Sequence, residues 1–137
     1  RSNASGFIFT TSLPPCIAAG AYTAMRHLKY SEYEREKQFK VVKKLKKALL
    51  NANIVFIDHQ SHIIPVIIGD AKLCKIASHK LLDDFNIYVQ PINYPTVPIG
   101  TERLRITPSP LHTDDMIKDL VKALQTVFSN LNIKLAA

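Results

Sequence analysis

Apolar residues in the first third of the chain recur at helical spacing. Between Ser31 and Asn51 they are separated by three or four positions, with lysines filling the gaps. This spacing places one apolar stripe along a helix that is otherwise exposed to water. The stripe consists of Val41, Val42, Leu45, Ala48 and Leu49. An earlier helix is predicted from Pro14 to about Leu28, because proline is tolerated in a first helical turn and the following residues are small and apolar.

After residue 52 the spacing changes to short apolar runs that alternate with further helical segments. The runs predicted as strands are "IVFID" (54–58), "HIIPVIIG" (62–69), "IYVQPI" (87–92) and "ERLRITP" (102–108). Asp70 is predicted to cap the helix "AKLCKIASHKLLDDF", and Thr113 to cap a last helix with Asp114 and Asp115 in its first turn. The segment "NYPTVPIG" is rich in turn formers and is predicted to be a loop.

This order of elements predicts an α/β (α+β) fold with a small mixed sheet covered by helices. A strand-helix-strand unit favours a parallel pair, and the last strand can return antiparallel after the loop. We expect two parts. Residues 1–52 would form an interface segment and connecting helices, and residues 53–137 would form a C-terminal small domain.

Charge and hydropathy narrow the possible partners. The formal net charge of +7 favours anionic ligands, and much of it comes from the lysines between Lys40 and Lys47. No aromatic residues that could stack on bases alternate with these lysines, so we expect no nucleic-acid partner. No apolar run approaches the roughly 18 residues needed to span a bilayer, so we expect no membrane partner.

Cysteine and histidine spacing predicts no metal site and no disulfide framework. The two cysteines, Cys16 and Cys74, belong to no CxxC pair and are expected to be small buried hydrophobic residues. The five histidines show no HExxH-like spacing, and His112, after the "PSP" turn, is expected to make a structural hydrogen bond.

Four segments resemble one family. They are "GFIFTTSLPP", "SHIIPVIIGD", "IYVQPINYPTVP" and "GTERLRITPSPLH". In this order they resemble the α-oxoamine synthases and, within them, the 5-aminolevulinate synthase group. The resemblance implies the C-terminal domain of a fold-type-I, pyridoxal-phosphate (PLP)-dependent transferase. It also implies a homodimer that condenses glycine with succinyl-CoA to 5-aminolevulinate, CoA and CO2 in haem biosynthesis.

The same resemblance assigns roles to individual residues. Thr10 and Thr11 would reach the phosphate of PLP, and hydroxyl groups suit this role because they donate hydrogen bonds without adding charge. Arg105 would pair with the carboxylate of glycine, which a planar guanidinium binds through two hydrogen bonds. Thr96 would contact the carboxylate of succinyl-CoA from a proline-restricted loop. Arg103, two residues from Arg105, is expected to be a surface arginine on an edge strand.

Two features depart from the family pattern or limit the resemblance. Ile99 occupies a position that is often basic in the family, which removes a charged contact expected there. The lysine that binds PLP covalently would lie upstream of "GFIFTTSLPP", and no lysine of this chain matches its position. We therefore expect no catalytic residue within the chain, no covalently bound PLP, and no activity of the chain alone.

Two other functions remain as alternatives. One is a sister α-oxoamine synthase that uses another acyl-CoA or amino acid, although "YVQPINYPTVP" argues against it. The other is a small basic nucleic-acid-binding module, which would need aromatic residues on RNP-like strands. The compartment expected is the bacterial cytoplasm, or the mitochondrial matrix if the source is eukaryotic.

Overall fold

The computed structural model describes residues 13–133, and the chain divides into two compact units between Tyr33 and Glu34. In the first unit, helix α1 spans Pro15–Tyr30 and begins with proline at its first turn, as predicted. It ends at Ser31, whose backbone N–H donates to the His27 carbonyl at 2.9 Å.

No residue of α1 is buried. Its apolar side chains include Ile17, which is 58% exposed, and Met25, which is 75% exposed. Cys16 is exposed as well, so the expectation that it would be buried was wrong for the described residues. Cys74, further along the chain, is buried as predicted.

Helix α2 spans Tyr33–Asn51, and its apolar stripe is buried as predicted. The side chains of Val41, Val42, Leu45 and Leu49 belong to the core cluster of the second unit, together with strand and helix residues further along the chain. The compact units therefore divide earlier than the boundary expected between residues 52 and 53, because this stripe packs with the later strands and helices. The functional division into an interface segment and a small domain stays a prediction.

Three strands and two helices complete the second unit. Strand β1 is Ile64–Ile67, β2 is Gln90–Ile92 and β3 is Arg103–Ile106. Helix α3 is Ala71–Phe85 and helix α4 is Asp114–Asn130. Helix α3 contacts β2, β3 and α4, which confirms the predicted small sheet covered by helices.

Strand β3 lies between the other two, and it is antiparallel to both. Strands β1 and β2 consequently run in the same direction, as a strand-helix-strand unit favours, but they are not hydrogen-bonded neighbours. The expectation of a direct parallel pair was therefore wrong for the described residues. The reason lies in β3, whose Leu104 is fully buried and whose Ile106 is 6% exposed, so that β3 occupies the covered centre of the sheet.

The segment "IVFID" does not form a regular strand. Phe56 makes an isolated antiparallel bridge with Val66, supported by hydrogen bonds from the Ile57 N–H to the Pro65 carbonyl and from the Ile67 N–H to the Val55 carbonyl. Pro65 has no N–H to return, which limits pairing along this edge. Strand β2 is likewise shorter than the predicted run over residues 87–92.

Both predicted helix caps are present. The Asp70 carboxylate accepts from the Leu73 N–H at 2.7 Å, and the Thr113 hydroxyl accepts from the Met116 N–H at 3.3 Å. Within residues 13–133, no helix is both long enough and apolar enough to cross a bilayer.

Candidate functional site

A cleft opens where the ladder between β2 and β3 ends. The last residue pair of that ladder is Gln90 with Arg105. Beyond it, residues 86–89 before β2 and residues 106–108 after β3 line a cleft of about 420 Å³. The apolar part of its lining includes Leu45 of α2 and Ile117 and Leu120 of α4. Core side chains therefore form the apolar wall of the cleft. We call its polar lining residues the rim, which includes Tyr88, Gln90, Arg105 and His112.

Arg105 is the cationic group of this rim. Alternation along β3 buries Leu104 and Ile106 and leaves Arg105 exposed between them. Among the described residues, no carboxylate forms an ion pair with its guanidinium and no hydrogen bond engages it. A guanidinium stays charged at all working pH values and presents a planar pair of donors. Arg105 is thus available to bind a carboxylate of a ligand.

Three uncharged polar residues of the rim, Tyr88, Gln90 and His112, are engaged with one another or with the backbone. The Tyr88 hydroxyl donates to the Gln90 side-chain carbonyl, and the Gln90 amide donates to the Pro91 carbonyl at 3.3 Å. His112 Nδ1 accepts from the Ser109 N–H at 3.1 Å, which is the structural hydrogen bond expected of this histidine. Since Nδ1 is the acceptor, the neutral ring carries its proton on Nε2. These contacts stiffen the wall around Arg105.

Arg103 has a different environment from Arg105. Its Nε donates to the Thr101 carbonyl at 2.8 Å, its side chain is half-buried, and it does not line the cleft. A guanidinium that is already bonded to the backbone next to it is positioned for a structural role. The expectation of a surface arginine on an edge strand was therefore wrong, because Arg103 is half-buried and β3 is the central strand of the sheet.

Thr96 lies in the loop that leaves β2 at its other end, after Ile92. It is exposed, and its N–H donates to the Asn93 carbonyl at 3.0 Å in a turn that contains a cis peptide bond between Tyr94 and Pro95. Thr96 does not line the cleft at Arg105. The described residues therefore do not bring these two predicted site residues into one cleft. Thr10 and Thr11 lie outside the described residues.

Tyr88 and Gln90 were not predicted as site residues, although the sequence contained a signal for them. In "IYVQPI" the apolar Val89 alternates with these two polar side chains. Val89 is 4% exposed and Tyr88 is 67% exposed, so the alternation does distinguish the core from the rim. The pattern could not show that the chain before Gln90 separates from β3.

The chemistry of the cleft fits an anionic ligand group. Among residues 13–133, Arg105 is the cation in its lining, to which no lysine and no carboxylate contributes. Such a lining can bind a substrate carboxylate but offers no primary amine for covalent attachment of a carbonyl cofactor. In the part of the chain that the structure describes, no group of three or more His, Cys, Asp or Glu side chains could hold a metal ion.

Comparison with known proteins points to one family. The sequence model of the family described as aminotransferase class I and II matches residues 1–124. Among curated relatives, the chain is 54% identical over 137 residues to a 5-aminolevulinate synthase of Rickettsia bellii, covering 100% of this chain and 33% of that protein. It is 57% identical over 129 residues to the Rhizobium meliloti 5-aminolevulinate synthase, covering 94% of this chain and 32% of that protein. A mitochondrial 5-aminolevulinate synthase of Schizosaccharomyces pombe is 52% identical over 97% of this chain and 24% of its own length. The chain thus spans a third or less of these relatives.

Solved structures show the same fold. A serine palmitoyltransferase from Sphingomonas wittichii superposes with a TM-score of 0.81 at 26% identity, covering 91% of this chain and 32% of that chain. An 8-amino-7-oxononanoate synthase from Francisella tularensis gives a TM-score of 0.75 at 21% identity, covering 96% of this chain and 38% of that one. This second likeness concerns the fold alone.

Proposed function

Because the chain belongs to the aminotransferase class I and II family, we propose that it is the C-terminal part of a PLP-dependent acyltransferase that condenses glycine with succinyl-CoA. The products of the intact protein are 5-aminolevulinate, CoA and CO2. The proposal is supported by relatives named 5-aminolevulinate synthase that are 52% to 57% identical to nearly the whole chain. The observation in the structure that carries it is the exposed guanidinium of Arg105, which has no ion pair among the described residues.

Arg105 binds the carboxylate of glycine in this proposal. Two parallel N–H donors hold a carboxylate in one orientation, so they fix which bond of the glycine α-carbon is presented for reaction. PLP, when bound in the intact protein, withdraws electrons from that carbon and so makes its proton removable. The contribution of Arg105 is to orient the amino acid.

Two further contacts are part of the proposal. Thr96 hydrogen-bonds the distal carboxylate of succinyl-CoA from the loop after β2. Thr10 and Thr11 donate hydrogen bonds to the phosphate of PLP. No lysine of residues 13–133 lines the Arg105 cleft, so none of the described lysines is proposed to bind the cofactor covalently there.

A homodimer is the proposed assembly. Ile17, Tyr22, Met25 and Leu28 of α1 are all at least 47% exposed. Apolar side chains gathered on one exposed helix are typical of a surface that contacts further protein. The residues around α1 are accordingly proposed to form an interface segment, and the compartment is proposed to be the bacterial cytoplasm or the mitochondrial matrix.

The test uses the intact protein that contains this chain. We expect it to release CoA from succinyl-CoA in the presence of glycine, and to prefer succinyl-CoA over acetyl-CoA. Arg105→Lys keeps the charge but loses the paired donors, so KM for glycine should rise about tenfold or more. Arg103→Lys is the matched control on the same strand, and it should leave KM for glycine within about threefold of the wild-type value.

Two results would contradict the proposal. Preference for another acyl-CoA or another amino acid would identify a sister enzyme of the same family. An unchanged KM for glycine in Arg105→Lys would remove the carboxylate-binding role from this residue.

A further inference from the structure

The loop between β2 and β3 is fixed at both ends by polar groups. At its start, the Asn93 amide donates to the Ala71 carbonyl in the first turn of α3, and the Asn93 carbonyl accepts from the Thr96 N–H. At its end, the Glu102 carbonyl accepts from the N–H groups of Ile68 and Gly69 at 2.9 and 3.0 Å. The loop is therefore attached to the chain segment after β1 and to α3.

Glu102 is the buried acid of this region. The residue is 2% exposed, and one carboxyl oxygen accepts from the Gly100 N–H at 2.9 Å. Among the described residues no lysine, arginine or histidine lies within ion-pair distance of it. Burying a carboxyl group without a cation is costly, and a hydrogen bond to the backbone offsets only part of that cost. Burial of the Glu102 carboxyl group does not stabilise the core. We therefore look for its role in the backbone N–H of Gly100, from which it accepts.

Cys74 of α3 is a fully buried titratable neighbour of Glu102 in this region. Burial raises the pKa of the Cys74 thiol, and the charges of Glu102 and Asp70 act in the same direction. A hydrogen bond with the backbone of Ile92 opposes this rise. Glu102 and Cys74 are thus both buried, whereas Thr96 of the same loop is exposed.

The part of the loop held by Glu102 is a closed turn. Gly100 has a φ of +83°, a conformation that glycine adopts at little cost. The N–H and the hydroxyl of Thr101 both donate to the Pro98 carbonyl, at 3.1 and 2.7 Å. The hydrogen bond from the Gly100 N–H to the Glu102 carboxyl group stabilises this turn. The turn begins at Pro98, two residues after Thr96.

We propose that Glu102 is a positioning residue for the acyl-CoA substrate. Its buried carboxyl group holds the Gly100 N–H, which fixes residues 98–102 and keeps Thr96 in the conformation that meets the distal carboxylate of the substrate. A contact that is ordered before binding loses less entropy when the ligand arrives. This inference rests on the role proposed above for Thr96.

The experiment compares substitutions at Glu102 in the intact protein. Glu102→Ala removes the acceptor, so we expect the Gly100 amide to exchange with deuterium about tenfold faster or more, and KM for succinyl-CoA to rise about tenfold. KM for glycine should stay within about twofold, because neither Glu102 nor Thr96 lines the cleft at Arg105. Glu102→Gln keeps an acceptor oxygen at the same reach and should retain slow exchange and most of the affinity.

A matched control and a second variant keep the test decisive. Asp119→Asn changes an exposed acid on α4 and should alter neither exchange nor either KM. Glu102→Asp withdraws the carboxyl group by one methylene, and it should shift exchange and KM in the same direction as Glu102→Ala if the alanine variant does not fold.

Equal rises in both KM values would overturn the inference, as would an unchanged KM for succinyl-CoA in a variant whose Gly100 amide exchanges faster. Unchanged exchange in Glu102→Ala would overturn it as well. If the wild-type protein does not use glycine and succinyl-CoA, the proposed function fails by itself. Amide exchange would in that case still decide whether Glu102 fixes the loop.

Discussion

Lys46 shows how one side chain joins two segments of the chain. Its Nζ donates at 2.6 Å to the Asp58 carboxylate and at 2.6 Å to the His59 carbonyl, and so connects α2 to the segment that precedes β1. The side chain of Lys46 is 18% exposed, whereas that of Asp58 is 77% exposed. The hydrogen bond with Lys46, followed by its charge, lowers the pKa of Asp58 below its ordinary value of 3.8.

This depressed pKa predicts a pH-dependent stability difference. A carboxyl group whose pKa is lower in the folded state contributes stability above its unfolded pKa, and the contribution is lost as pH falls through the folded value. Asp58→Asn should therefore lower the urea midpoint slightly at pH 7, and the difference from wild type should shrink as the pH falls below 3.8. Urea unfolding at several pH values measures it. Asp83→Asn, at an exposed acid on α3, should show no comparable trend.

At the scale of elements, the N-terminal caps of α3 and α4 were predictable from the sequence. Asp70 and Thr113 are followed by helical periodicity, and each has a side chain that can accept from a free N–H in the first turn. Helix α3 also ends as such helices commonly do, with Asn86 at a φ of +57° donating its N–H to carbonyls of the last turn. Local chemistry decides these positions, so the sequence alone suffices.

Removing the cap of α3 should destabilise the chain measurably. Asp70→Ala leaves the Leu73 N–H without its partner at 2.7 Å, and we expect a loss of about 1 kcal/mol in the free energy of unfolding. Asp70→Asn keeps a side-chain oxygen and should lose a few tenths of that amount. Denaturant titration of both variants distinguishes the cap from a general effect of the substitution. Equal losses would show that charge at Asp70, and not its hydrogen bond, matters.

At the scale of the whole second unit, helix α2 is part of the core. Its buried stripe packs in the same cluster as Leu104 of β3 and Phe128 of α4. The predicted domain boundary placed this helix with the preceding segment. Periodicity shows which face of a helix is apolar, but it does not show against which part of the chain that face packs.

Two adjacent leucines test this placement. Leu49 is fully buried and Leu50 is 63% exposed, although both are at the end of α2. Leu49→Ala should lower the free energy of unfolding by about 3 kcal/mol, since it removes buried apolar atoms and leaves a cavity. Leu50→Ala should change it by about 0.5 kcal/mol or less. Thermal or urea unfolding of the two variants gives the comparison, and similar losses would contradict the burial of α2.

The candidate site was only partly predictable for a related reason. Arg105 could be placed on an exposed face because Leu104 and Ile106 flank it on a short strand. The cleft beside it could not be predicted, because it depends on where β2 and β3 separate and on side chains of α2 and α4 that are distant in sequence. Glu102 was missed as well, since a charged residue next to a strand is usually expected to face water.

The position of β3 has a consequence for how the chain is made. All hydrogen bonds between the three named strands involve β3, and β3 is the last of them in the sequence. A nascent chain emerging from a ribosome therefore holds β1 and β2 without a ladder to join them until residue 106 has left the exit tunnel. Arg105, which is proposed to bind the amino acid, is part of β3 and therefore leaves the exit tunnel with the strand that completes the sheet.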